Sequence, residues 1–394
     1  MHPAFEVFLV FLRLGLTSFG GPVAHLGYFR RALVEKRDWL TEPDYASLVA
    51  LCQVLPGPAS SQTGFGIGLL RAGWQGGLAA WAGFTLPSAV LMFALASSAT
   101  ALNASHLGAG LLHGLQLAAV AVVAQAVCAM ALNLCPDTPR RFVAAVSVLL
   151  LFLLPGSIGQ IVVIILGGMI GRFVLAPPSA LAQPTAAPRL GRAGAGIALG
   201  LFTFLLAESF VRGGGNLALF NAFYHSGALV FGGGHVVLPL LHAAIVRPGW
   251  VSPPLFLAGY GAAQAMPGPL FTFAAYLGAL SSMGSGGWVG ALFALIGIFL
   301  PGLLLTAGIL PFWHGLRRHD GLAAALNGVN AAVVGLLVFA LLNLLTNGTI
   351  RNPVDTLVAV TALAMLTIGK VRPLPVVAIC AAAGMLFSKS GLLG

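Results

Sequence analysis

The chain says the same thing twice. Phe19-Gly20-Gly21 is followed by Gln53-Val54-Leu55-Pro56-Gly57-Pro58, and Phe231-Gly232-Gly233 by Gln264-Ala265-Met266-Pro267-Gly268-Pro269. The first motifs are 231 − 19 = 212 positions apart and the second 264 − 53 = 211, with Trp39 and Trp250 between them at 250 − 39 = 211. Leu86-Pro87 answers Leu300-Pro301, Gly114 answers Gly328, and Gly168-Met169 answers Gly384-Met385. A duplication this long, with helix breakers inside apolar segments, points to a two-fold transporter whose site lies where helices are interrupted.

Composition sets the solvent. Hydrophobic residues are 58% of the chain and charged residues 7%, against about 25% charged in a soluble domain. Many apolar stretches have the ~17–25 residues of a spanning helix. The short alternating segments of a barrel are missing, so the chain reads as an all-α integral membrane protein. Its net charge of +10 sits in short loops, as orientation signals do, and does not suggest nucleic acid. Cys52, Cys128, Cys135 and Cys380 form no CxxC pair and read as small buried hydrophobes, with no metal framework and no cofactor. The N-terminal apolar run lacks a basic n-region and has an internal partner, Leu217–Phe231, so it is kept as structure rather than as a signal peptide.

The Pro- and Ala-rich stretch Ala176–Arg192 reads as a linker. It sets the domains as a first repeat (1–175), a linker with one unpaired apolar helix over Ala193–Val211 (176–215), and a second repeat (216–394). Six elements are expected in each repeat: near 4–20, 42–71, 74–101, 106–134, 139–155 and 157–175, then near 216–231, 253–283, 286–313, 321–345, 353–369 and 373–390. Basic residues fall in nearly complementary loops. Arg30, Arg31, Lys36, Arg37, Arg71, Arg140 and Arg141 mark the first repeat, and Arg317, Arg318, Lys370 and Arg372 the second. That is the pattern of inverted repeats, with Arg351 as the exception. The unpaired helix supplies the inversion. Charge also favours re-entrant hairpins over full spans for the first elements, with the N-terminus inside and the C-terminus outside.

Proline removes a backbone donor and glycine opens conformations closed to other residues. Pro56-Gly57-Pro58 should end one helix and start another, whose free N–H groups and positive dipole end face the break and suit an anion. Ser60, Ser61, Gln62 and Thr63 follow with further donors, and Gln53 lies one turn before. The second copy keeps Pro267-Gly268-Pro269 but lines it with Leu270, Phe271, Thr272 and Phe273, leaving Gln264 and Thr272 as donors. The stronger contacts are therefore expected in the first repeat. The alternative is that both motifs are packing kinks. The Phe19-Gly20-Gly21-Pro22 break, with Ser18 before and His25 after, and its counterpart at Gly233 and His235, serves either a ligand or close helix packing.

Charged residues inside apolar segments are functional candidates. Arg13 lies in the first element where the second repeat has His225, and a guanidinium suits a tetrahedral oxyanion. Glu6, seven residues earlier, shares its helix face, so a self-neutralising Glu6–Arg13 pair is the rival reading. Glu208 and Arg212 have i,i+4 spacing and read as a structural pair. His113, His242 and His314 read as solvated ends or helix contacts.

These residues resemble the chromate ion transporter (CHR) family in its long-chain, two-domain form. The match runs through SFGGPVAHLGYFRR, WLTEPDYASLVALCQVLPGPASSQ, TLPS, FGGGHVVLPLL and QAMPGP, nearly the length of the chain. The resemblance implies a bacterial inner-membrane protein that exports chromate, with sulfate as competitor or relative, and marks Phe19-Gly20-Gly21-Pro22, Gln53 and Pro56-Gly57-Pro58. A dianion leaving a cell held inside-negative at roughly 150 mV gains about 7 kcal/mol, so export needs no ATP, and no phosphate-binding loop is present. Another oxyanion or a lipid-linked phosphate is the alternative cargo. An enzyme would need a nucleophile, base or metal cluster that the sequence lacks. The sequence leaves the oligomeric state open, a homodimer included.

Overall fold

The computed structural model describes residues 2–103, 105–154, 156–175, 191–211, 213–231, 233–313, 320–346 and 348–389. Every regular element among them is helical. The first repeat contains α1 (Pro3–Thr17), α2 (Gly21–Phe29, continued as a π-turn over Arg30–Glu35), α3 (Glu42–Val54), α4 (Ala59–Asn103), α5 (His106–Leu134), α6 (Thr138–Leu153) and α7 (Ser157–Val174). The unpaired α8 (Arg192–Glu208) follows. The second repeat contains α9 (Gly215–Ala228), α10 (Val237–Leu241, with a 3-10 turn before it and a π-turn over His242–Val246 after), α11 (Pro253–Ala263), α12 (Phe273–Leu280), α13 (Gly287–Ile309), α14 (Asp320–Thr346), α15 (Pro353–Thr367) and α16 (Pro373–Lys389). Four of these, α4, α5, α13 and α14, are long and apolar enough to cross a membrane. Large apolar side chains such as Phe142, Ile158, Phe173 and Trp288 stand exposed on the outside, the surface expected of a protein solvated by acyl chains.

Helix starts follow from local chemistry. Thr41, Asp137 and Asn352 accept from the amides of Asp44, Arg140 and Asp355 and so cap α3, α6 and α15, each with proline in the first turn. One expectation is corrected here. The Phe19-Gly20-Gly21-Pro22 break opens into a helix, and residues 30–35, read as part of a basic loop, continue it as a π-turn with Arg30, Arg31 and Glu35 on it. The nine-residue run GPVAHLGYF is too short to announce a helix by periodicity, and packing completes it.

The helices double back at the breaks. Phe11 and Phe29 meet edge-on, 5.4 Å apart, on either side of the Phe19-Gly20-Gly21 break, so α1 and α2 form a hairpin with that break as its tip. A Cβ on Gly66 would strike Leu48 across the Pro56-Gly57-Pro58 break. In the second repeat Tyr276 donates to the carbonyl of Leu255 across the other break. α3 and the first limb of α4, and likewise α11 and α12, are therefore hairpins tipped by Pro-Gly-Pro. A limb of 13 residues, as in α3, is about 20 Å long, short of the ~30 Å hydrocarbon layer. α4 itself turns back at Ala72 and Gly73, where Gly68 and Gly76 bring the two backbones into contact.

The C-terminal part of each repeat packs on the other repeat. α6 and α7 lie against α14, and α15 and α16 lie against α5. The contacts are glycine-lined and two-fold related. Gly114 on α5 faces Cys380 and Gly384 on α16, while Gly328 on α14 faces Gly167 and Gly171 on α7. Small residues let backbones approach where lipid gives no hydrophobic drive between helices.

Candidate functional site

The hairpin tips meet crosswise. The amide of Gly57 donates to the carbonyl of Val230 at 2.7 Å, and the amide of Gly268 to the carbonyl of Ser18 at 2.9 Å. Each Pro-Gly-Pro tip is thus tied to the residue preceding the Phe-Gly-Gly tip of the opposite repeat. Gly57 and Gly268 hold φ of +124° and +87°, a region that residues with a Cβ rarely enter. Each tip also abuts the proline-bearing helix of the other repeat. A Cβ on Gly57 would sit 2.9 Å from the Cα of Gly302, beside Pro301 in α13, and one on Gly268 would sit 2.9 Å from Ser88 Oγ, beside Pro87 in α4.

The glycine amides are engaged by backbone carbonyls instead of facing a ligand. The donors left over belong to the helix that follows. Its first hydrogen bond runs from the Gln62 amide to the Pro58 carbonyl at 2.9 Å, so the amides of Ala59, Ser60 and Ser61 precede the intrahelical ladder.

Side chains sort into engaged and unengaged groups. Gln62 Nε2 donates to the carbonyls of Pro56 and Gly302 at 3.0 and 3.1 Å. Thr63 donates to the Ala59 carbonyl and Thr272 to the Pro269 carbonyl. These three hold the breaks in shape. His25 Nδ1 lies 3.4 Å from Ser60 Oγ, and its ring meets Phe84 edge-on. Among the buried polar atoms that make no hydrogen bond, six lie on or beside α1, α2 and α4: Ser18 Oγ, His25 Nε2, Ser61 Oγ, Gln62 Oε1, Trp81 Nε1 and Thr85 Oγ1. Native interiors leave few such groups, each costing about 1–3 kcal/mol, and these six lie on elements that meet at the tips.

In the second repeat His235 Nδ1 lies 2.8 Å from the Tyr260 hydroxyl, and Gln264 follows one turn later, just past the end of α11. Gly233 has φ +149°, and a Cβ there would meet Met130 Sδ at 3.9 Å. Phenylalanines 271 and 273, both buried, stand at the positions taken in the first repeat by Ser60 and Gln62.

Other candidates stand apart. Gln53, Gly20 and Arg13 are exposed and Gly21 is half-buried. Glu6 pairs with Arg71, at 3.6 Å, and not with Arg13, because the first limb of α4 runs back along α1, with Gly64 against Phe11, and ends at Arg71 near the start of α1. Arg71 also lies over the Trp39 ring. His225 is half-buried, against Phe210, with its Nε2 unpaired. Arg212, Gly232 and His314, and 176–190 of the linker, lie outside the described residues. Cys128 is exposed where a buried thiol was expected, and the other three cysteines are buried. Sequence reasoning passed over Trp81, Thr85, Ser88 and Gly302. The matched Leu-Pro pairs at 86–87 and 300–301, followed by Ser88 and Gly302, were the available signal. It also passed over Asp355, fully buried and 3.0 Å from His113 Nε2.

The profile of the chromate transporter family matches residues 5–172 and 217–385, both repeats in turn. The chain belongs to the chromate transporter family. It is 29% identical over 340 residues to the chromate transport protein of Pseudomonas aeruginosa, covering 84% of this chain and 79% of that protein. It is 29% identical over 401 residues to the probable chromate transport protein of Synechococcus elongatus, covering 98% and 97%. An uncharacterized transporter of Methanocaldococcus jannaschii is 25% identical over 346 residues, covering 85% of this chain and 83% of that protein. No solved structure matches the chain. With its apolar helices, this member of the family is a multi-pass membrane protein.

Proposed function

We propose that the chain exports chromate across the bacterial inner membrane as a secondary transporter driven by the membrane potential. The observation that carries this reading is the set of buried unpaired donors, Ser18, Ser61, His25 and Trp81, beside a helix N-terminus where the helix breaks of the two repeats are tied together. Hydroxyl, indole and amide donors converging in a water-poor place suit a tetrahedral oxyanion without a metal or cofactor. The names of the relatives from Pseudomonas aeruginosa and Synechococcus elongatus support chromate as cargo.

The oxyanion would sit against Ser60, Ser61 and His25 on one side and Ser18 on the other. The reciprocal tip bonds would exchange partners as the site opens to alternate faces. Since α5 carries α15 and α16 while α14 carries α6 and α7, the moving parts would be the tip hairpins against these mixed scaffolds, not one repeat against the other. The N-terminus is placed in the cytoplasm and the C-terminus outside. A dianion driven outward by roughly 150 mV gains about 7 kcal/mol, enough to work without ATP.

Inverted vesicles with an imposed potential test this. Colorimetric chromate uptake should follow the potential and fall when sulfate competes. Uptake equal to that of vesicles lacking the protein would refute the proposal, and full insensitivity to the potential would refute its driving force.

A further inference from the structure

Away from the tips, α6, α7, α10 and α14 enclose a cavity of about 370 Å³. One side is apolar, with Leu151, Phe152, Leu238, Phe339 and Leu344. The other presents Arg247, His242 and Asn343. The guanidinium of Arg247 lies against Gly156, where a Cβ would approach its Nη1 to 2.8 Å. Gly156 has φ +107° and stands before the first turn of α7, so the 18-residue helix opens its positive end at the same place.

The charge balance here is one-sided. In the π-turn of the first repeat, Arg30, at the place of His242 (242 − 30 = 212), is neutralised by Glu35 and Glu42, each at 2.7 Å. No aspartate or glutamate occurs anywhere from Ser209 to His319. Among the described residues no carboxylate lies within 4 Å of Arg247. A cation left without its counter-ion at the rim of an apolar cavity calls for an anion carried by an apolar body. Gln160, whose Nε2 donates to the Pro239 carbonyl at 3.0 Å, fixes the wall.

We infer that this cavity seats an anionic phospholipid, its phosphate on Arg247, His242 and Asn343 and an acyl chain along Phe152, Phe339 and Leu344. Basic pockets between membrane helices hold such headgroups. A free oxyanion offers the same charge but nothing to cover the apolar wall.

The test is thermal unfolding of the purified protein in nanodiscs of phosphatidylcholine alone, of phosphatidylcholine with phosphatidylglycerol, and of phosphatidylcholine with added sulfate. The parent should melt several degrees higher with phosphatidylglycerol. Arg247→Gln should lose most of that rise while matching the parent in phosphatidylcholine alone, and Arg247→Lys should keep most of it. A rise that survives in Arg247→Gln overturns the inference. An Arg247-dependent rise with sulfate and none with phosphatidylglycerol overturns the lipid assignment. No flux is measured, so the result stands apart from the transport proposal.

Discussion

Gly57 and Val230 are joined by a backbone hydrogen bond of 2.7 Å, so the tip of one repeat is completed by the other. With its counterpart from Gly268 to Ser18, it makes the centre of the protein a joint closed from both sides. The breaks are needed twice over: to turn the chain, and to free an amide for the partner.

Gly57→Ala and Gly268→Ala should both destabilise, by about 1–3 kcal/mol from the positive φ alone. Gly57→Ala should be the worse, because its Cβ meets the Gly302 backbone, whereas a Cβ at 268 meets the hydroxyl of Ser88 first. Thermal unfolding in detergent checks the order. Equal melting of both variants and the parent would contradict the crossed-tip geometry.

Ser61→Ala should separate function from folding. Its buried hydroxyl bonds to nothing, so removal should change stability by less than about 1 kcal/mol. If that hydroxyl meets an oxyanion, the lost charge-assisted bond is worth about 1.5–3 kcal/mol, an affinity loss of about tenfold or more. Chromate titration alongside melting reads both. A drop in melting temperature with unchanged affinity would make Ser61 a packing residue.

Arg13→Ala should fold like the parent, within about 0.5 kcal/mol, as exposed substitutions usually do. An exposed cation one turn before the tip acts on arrival of an anion rather than on its retention. The KM for chromate should rise a few-fold, less so at high salt, with maximal flux unchanged. A collapse of maximal flux would place Arg13 inside the site.

Asp355→Asn and His113→Leu should each be costly. Asp355 is fully buried, 3.0 Å from His113 Nε2, and its other oxygen accepts from the Arg351 amide. Leaving a buried partner without its hydrogen bond costs about 1–3 kcal/mol, more for a charged group. Replacing both by leucine should cost less than the sum, and strict additivity in a double-mutant cycle would deny the coupling.

The sequence shows the breaks well because proline and glycine act locally, whatever surrounds them. Pro56, Gly57, Pro267 and Gly268 mark hairpin tips as predicted, and the turn at Ala72–Gly73 falls between two expected elements. What pairs across the molecule was hidden. Glu6 shares a helix face with Arg13, yet Arg71 reaches it first. Matched glycines at 114 and 328 announce a repeat, but equal spacing cannot say whether a hairpin rests on its own repeat or on the other. The engaged state of the Gly57 amide was equally out of reach, since its acceptor lies in the other repeat.

That trading of C-terminal hairpins sets a rule for dissecting the protein. Severed within 176–190 and made as two polypeptides, the pieces should assemble when expressed together. Either one alone would lack both the cradle for its last two helices and the tenant of its α5 or α14, and should be cleared as an orphan by the cell.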